Sequence, residues 1–225
     1  MKVIIINGSP RVNGATGQIL SKIAETIMKM DSNASIDYFD LAKLNLNYCL
    51  GCASCYRNGT CPLNDDLKKL SNAIETCDGL ILGSPTYASN VSGQFKTLID
   101  RGHFVFEQLL KNKACFSVIT YENYGGKKAI AIVNDLITKS GGAVSGKYLV
   151  KLNHGDKVIN AHRSKQIDNL CRKFLVKVNQ KYPLSLFESL MRFIVFNVGI
   201  KPHVYKNELR YKGIINRWDE RNYIS

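Results

Sequence analysis

No stretch of this 225-residue chain reaches the roughly 18 consecutive apolar residues that a membrane-spanning helix needs, so no membrane span is expected. The opening, MKVIIINGSP, passes from a short apolar run into a turn without a small-residue cleavage site, which reads as an unexported, soluble chain. Histidine is scarce. The four present (His103, His154, His162 and His203) share no metal-ligand spacing, and each is expected at the surface or at a helix end. No G-x-S-x-G motif with a partnered histidine occurs, so hydrolytic chemistry has no support. Acid is also in short supply: 31 Lys and Arg stand against 18 Asp and Glu, a formal net charge of +13. Residues 147–225 hold 16 of those bases against 6 acids. They are scattered among Val, Leu, Ile and Phe rather than blocked together, which reads as solvated helix faces, and a nucleic-acid partner is not expected.

What is present is a chain with 45% apolar residues, enough for one sizeable core. Short β-branched runs at 2–7, 35–39, 79–82, 114–119 and 144–150 read as strands. Between them lie helical patterns: one through Ile19, Leu20, Ile23 and Ile27, others at 65–75 and 92–101, one ending near Ser140, and a last at 161–180. Strands alternating with helices predict a parallel sheet covered on both faces, with ligands bound beyond the strands' carboxyl ends. The expected organisation is an α/β domain over 1–182 and a C-terminal helical or irregular extension over 183–225. The extension is too apolar to stay free, and packing on the domain or on a second subunit would cover it.

The loop after the first strand, Gly8 to Thr16, suits a phosphate. Free backbone N–H groups and a helix dipole meet there, Ser9, Asn13 and Thr16 add short polar donors, and Gly14 permits close approach. It lacks both the Lys-Ser/Thr ending of a Walker A motif and G-x-G-x-x-G spacing, and so points to a mononucleotide. This GSPRxNGxT sequence resembles the FMN phosphate loop of the NADPH-dependent FMN reductase-like branch of flavodoxin-like proteins. The resemblance implies a flavodoxin-like sheet of order 2-1-3-4-5 and FMN held by Ser9, Arg11, Asn13, Gly14, Ala15 and Thr16.

A second match, Gly83 to Tyr87 followed by Ser92-Gly93, Lys96 and Asp100-Arg101, is similar to the same branch's GSPxYxxxxSGxxKxxxDR stretch. Pro85, Thr86 and Tyr87 are the expected flavin contacts, with Tyr87 offering a flat ring. Lys96 and Arg101 are read as structural. A third loop supplies Thr120, Tyr121 and Gly125, but departs from the Gly-rich form in carrying Tyr121, Glu122 and Tyr124. The two tyrosines would either cover the flavin or stand at the surface.

Seven cysteines include Cys49-x2-Cys52-x2-Cys55-x5-Cys61, four within thirteen positions. Such crowding suits a metal or redox site in a reducing compartment better than a disulfide scaffold, and a cytoplasmic location is the expectation. The thiols could be free, oxidised, zinc-bound or cluster-bound. The string is similar to that of the iron–sulfur flavoproteins, which implies a [4Fe–4S] cluster on these four residues. It also implies homo-oligomers, dimer or tetramer, and a ferredoxin-like partner. Cys77, Cys115 and Cys171 lie in or beside apolar runs and read as buried small hydrophobes.

The combined expectation is an FMN-dependent oxidoreductase. It would move electrons between NAD(P)H or a ferredoxin-like donor and a quinone, flavin, oxygen or protein acceptor. Its chemistry would be flavin-borne and need no catalytic side chain. A non-enzymatic FMN carrier, with or without a cluster, and a redox sensor are the alternatives.

Overall fold

The computed structural model describes residues 1–180 and 184–223. Its frame is a parallel sheet of five long strands: β1 (Lys2–Asn7), β2 (Ser35–Asp40), β3 (Gly79–Tyr87), β5 (Ala114–Tyr121) and β6 (Ala143–Lys151). They lie in the order β2-β1-β3-β5-β6, and a two-residue strand β4 (Asn90–Val91) pairs antiparallel with the end of β3. The five long strands thus keep the expected order, and β4 is an addition.

The apolar run of β1 is buried on both faces, as a central parallel strand requires. Alternate residues serve opposite layers. Ile4 and Ile6 join a core with α3 (Leu67–Thr76), α4 (Gly93–Arg101) and α6 (Gly126–Lys139). Val3 and Ile5 join another with α1 (Ala15–Met30) and α7 (Ala161–Val178), where Ile19, Leu20, Ile23 and Ile27 hold the positions their spacing gave them. Cys77, Cys115 and Cys171 are buried within these layers. Burial pushes the Cys77 thiol up to about 11 and the Cys171 thiol up to about 12.

The cysteine string follows β2 and carries a one-turn helix, α2 (Ser54–Asn58). After α4 comes a short helix, α5 (Phe104–Glu107). The expected domain boundary at 182/183 falls outside the described residues. Beyond it run α8 (Leu186–Phe193), a π-helical stretch (Ile194–Ile200), α9 (Lys201–Lys206) and α10 (Glu208–Glu220). Phe196, Val204, Tyr211, Ile214 and Trp218 form a third apolar cluster against Tyr56 of α2 and Phe106 of α5. Trp218 Nε1 donates to Phe106 O at 2.9 Å, and Arg217 Nε donates to Gly59 O at 2.8 Å. A Cβ added to Gly213 would lie 2.0 Å from Gly59 N, so α10 rests directly on the backbone of the cysteine loop.

Helix α8 is turned with its charges inward. Ser185 and Glu188 form a capping box, Glu188 also accepts from Val144 N at 2.9 Å, and Arg192 Nη1 donates to Asn112 Oδ1 at 3.1 Å. Leu186, Phe187, Leu190, Phe193, Ile194 and Val198 face solvent, Leu186 at 93% exposure. Among the described residues no helix is long and apolar enough to cross a membrane.

Candidate functional site

An open cleft of about 320 Å³ lies over the carboxyl ends of β1, β3 and β5, beside the point where the strand order reverses. Its first wall begins with Asn7, the polar last residue of an otherwise apolar strand. Asn7 Oδ1 accepts from Ser9 N at 3.1 Å, and Nδ2 donates to Asp40 Oδ1 at 2.9 Å and Val12 O at 3.3 Å. Ser9 Oγ donates to Arg11 O at 3.0 Å and accepts from Arg11 N at 3.2 Å. These bonds fold residues 8–13 onto the start of α1, where only glycine fits at position 17: a Cβ there would lie 1.9 Å from Val12 O. Gly14 is the N-cap and offers no side-chain cap, so the first N–H groups of α1 remain available to an anion. Arg11 and Ala15 reach the cleft lining.

The second wall is the end of β3 itself. Pro85, Thr86 and Tyr87 continue the strand rather than leaving it as a loop, and Tyr87 is 43% exposed. Ala88 and Ser89 then turn the chain with φ of 47° and 63°, a two-residue hairpin that ordinarily calls for Asn-Gly and stores strain in this pair. Ser92 anchors the start of α4. Its N–H donates to Ser84 Oγ at 3.0 Å, its hydroxyl accepts from Phe95 N at 3.1 Å as the cap of that helix, and the same hydroxyl donates to Gly8 O. Sequence alone gives neither Asn7 nor Ser92 a role. A polar residue ending an apolar strand, and a Ser-Gly before a helical pattern, are the signals that could have found them.

On the third wall Thr120 Oγ1 lies 2.8 Å from Thr16 Oγ1, joining the first and third loops. Tyr121 lines the cleft, whereas Tyr124 stands outside the lining at 75% exposure. Gly125 has φ of 84°, and a Cβ there would lie 2.6 Å from Ser89 Cα, so the third loop is seated on the strained turn. Thr86 Oγ1 is buried in this region without a hydrogen-bond partner. An uncapped helix start for a phosphate, an orphaned hydroxyl for a ring or ribityl polar atom and two tyrosines beside the opening are a donor set that fits FMN.

The cysteine string lies apart from this cleft, at the other end of α4. All four cysteines are free; Cys49 and Cys52 are exposed, Cys55 and Cys61 half-buried. Arg101 at the end of α4 and His103 at the start of α5 reach the inner pair. Arg101, 2% exposed, donates from Nη2 to Cys61 Sγ at 3.2 Å and is paired with the buried Asp65. His103 is only half-buried, as a helix-end residue, yet its ring is engaged: Nδ1 lies 3.2 Å from Glu107 Oε1, and the ring also bonds to Cys55. Burial alone would lower the His103 pKa, but Cys55 and Glu107 outweigh it and lift the group to about 9. Burial would raise Cys55, and the bond and charge of His103 reverse this to leave the thiol below its ordinary value. Both contacts are long-range, which is why spacing does not show them.

Among the described residues no three His, Cys, Asp or Glu side chains surround a common point. Cys61 is held by Arg101 and Cys55 by His103, while Cys49 and Cys52 are exposed. By donor chemistry the set still suits an iron–sulfur cluster. It offers four free thiols, and a buried Arg101 Nε lacks an acceptor beside Cys61.

The model of a family described as NADPH-dependent FMN reductase matches residues 1–156. The chain belongs to that family. It is an FMN-dependent oxidoreductase with a flavodoxin-like fold. It is 38% identical, over all of both chains, to a protein named iron-sulfur flavoprotein from Clostridioides difficile strain 630. Among solved structures it resembles the apo form of an NADH:FMN oxidoreductase, with a TM-score of 0.59 at 18% identity over 78% of this chain and 88% of that one. It also resembles a flavodoxin from the domain Archaea, with a TM-score of 0.54 at 13% identity over 80% of this chain and 100% of that one.

Gly125→Ala would force a side chain into a φ of 84° and against Ser89, moving the third loop off the turn. FMN affinity, read by quenching of flavin fluorescence, should fall about tenfold, equivalent to about 1.4 kcal/mol; unchanged affinity would remove this seat from the site. Asp65 offers a second test. Burial would raise its carboxyl, but Arg101 and the Asn47 and Leu67 N–H groups hold it down from 3.8 to about 2. A depressed pKa gives stability that is present above about pH 4 and is lost as the pH falls through about 2, amounting to about 2 kcal/mol. Urea unfolding across that range should show the loss in the parent and a flatter profile in Asp65→Asn, which is already destabilised at neutral pH. A variant with the parent's slope would exonerate Asp65.

Proposed function

We propose that this oxidoreductase takes electrons from NAD(P)H, or from a ferredoxin-type protein, and delivers them to a small quinone, flavin, oxygen or protein acceptor. The observation that carries the reading is the open cleft, with Thr86 Oγ1 buried and unpartnered in its lining and Tyr87 43% exposed at its mouth. Bound there, FMN would supply hydride and single-electron acceptance at its ring. The chain's own residues bind, orient and shield. The first turn of α1 and the loop of Ser9, Arg11, Asn13, Gly14, Ala15 and Thr16 hold the phosphate. The Thr86 hydroxyl and backbone groups near Pro85 and Thr120 hold the polar edge, and Tyr87 and Tyr121 flank the ring while leaving a face open to a reductant.

On the same reading Cys49, Cys52, Cys55 and Cys61 hold a [4Fe–4S] cluster, supported by the full-length likeness to an iron-sulfur flavoprotein and by the cations beside Cys55 and Cys61. The cluster would supply one-electron exchange. Seven cysteines free of disulfides support a reducing, cytoplasmic setting. Under exclusion of oxygen the purified protein should carry about four iron per chain with a shoulder near about 410–420 nm, and NADH or NADPH should bleach its flavin bands in stopped flow. Iron-free protein would sink the cluster; flavin left oxidised by both nucleotides would sink direct nucleotide reduction.

The outward apolar strip of α8 and the π-helical stretch supports self-association. Its six large side chains expose an area on the order of 800 Å², what one partner contributes to a standard interface, and homodimer interfaces are the apolar kind. We assign the strip to a second copy of this chain. Light scattering should give at least a dimer for the parent and a monomer for a Phe187→Ser, Leu190→Ser double variant with unchanged circular dichroism. A monomeric parent would overturn the assignment.

A further inference from the structure

Arg101 stands out because its five N–H groups can be accounted for one by one. Nη1 donates to Asn47 O at 2.8 Å and to Asp65 Oδ2; Nη2 donates to Asp65 Oδ1 at 3.2 Å and to Cys61 Sγ at 3.2 Å. The carboxylate of Asp65 spans both terminal nitrogens and so occupies the outer end of the guanidinium. The remaining proton of Nη2, the one on Cys61, then lies on the same edge as Nε. That Nε is buried and has no hydrogen-bond partner. A cationic donor closed off from water without an acceptor is an unstable arrangement unless something fills it. The vacant donor points along the edge that already meets the Cys61 sulfur.

We infer that Arg101 is a positioning residue for the cluster, its Nε–H donating to a cluster sulfur at Cys61. This rests on the reading that the cysteine string holds a cluster. Asp65 and Asn47 O fix the fork from behind, so the free edge cannot swing away, and 2% exposure keeps water from competing for it. Reduction adds negative charge to a cluster, and a fixed positive donor stabilises the reduced form more than the oxidised one. The residue thereby raises the cluster's reduction potential relative to the flavin's, favouring the cluster as resting place for an electron. Lysine cannot replace it, because an ammonium does not span Asp65 and present a second planar edge at once.

The test uses anaerobically purified full-length protein with its flavin and iron. Redox titration followed by electron paramagnetic resonance should give a lower cluster midpoint in Arg101→Lys and lower still in Arg101→Gln, with the flavin potential unmoved. Electron–nuclear double resonance of the reduced parent should show a coupled proton that exchanges in deuterated buffer and is missing in Arg101→Gln. Selective 15N labelling of arginine ties that proton to a guanidinium nitrogen in the parent itself, so this readout stands even where a variant fails to fold. Iron in the parent without any such proton, or midpoints unchanged in both variants, overturns the inference alone. A parent free of iron overturns the cluster reading and the inference with it.

Discussion

The ion pair between Arg101 and Asp65, both all but removed from solvent, is the fastening on which the cysteine loop depends. The loop has little apolar material of its own, and two of its cysteines are exposed. At its start the hold is polar: Asp65 accepts from the Asn47 N–H at 3.0 Å and Arg101 donates to the Asn47 carbonyl at 2.8 Å, so one residue near the loop's start is gripped from both sides. Buried charges of this kind contribute little to stability compared with a well-packed apolar pair. They do specify geometry, and here they set where α4 meets Cys61. Because α4 is also capped by Ser92, which reaches Gly8 at the start of the phosphate loop, one helix connects the two candidate sites mechanically.

On the flavin side, order comes from short polar side chains and close backbone approach. Asn7 ties β1 to β2 and to its own loop, Thr16 meets Thr120, and Gly125 sits against Ser89. Three loops from three strands thus brace one another around an opening that stays unfilled by protein. The strained Ala88–Ser89 turn is held at the centre of this bracing. A site assembled this way suits a cofactor that carries its own reactivity and asks of the protein only a fixed, partly dry seat.

Much of this is legible in the chain. The β-branched runs, the helical spacing of Ile19 to Ile27 and the Gly-Ser-Pro turns after two strands indicate the alternation of strands and helices and the side of the sheet on which to look, because those signals are local; the strand order is what the family resemblance implies. Tyr124 is ambiguous in sequence and proves to lie at the surface, while its neighbour Tyr121 faces the cleft. Strand β4 escapes sequence reading because Ala88-Ser89 carries no glycine or asparagine to announce a hairpin. Arg101 reads as structural and His103 as a helix end. Each is that and more, since their contacts with Cys61 and Cys55 span 40 and 48 positions of chain that no spacing rule covers. The four cysteines read as a set from their spacing; in the fold Arg101 and His103 reach the inner two, and the outer two are exposed.

The outer support of the cysteine loop comes from the far end of the chain. Gly213 lies on Gly59, Arg217 holds its carbonyl, and Trp218 fills the gap beneath Phe106. These residues follow the flavin-binding half in sequence, so a chain folding from its N-terminal side meets them after that half has begun to fold. Until α10 docks, the cysteine loop lacks this outer brace. The closing helix thus orders assembly in time as well as in space.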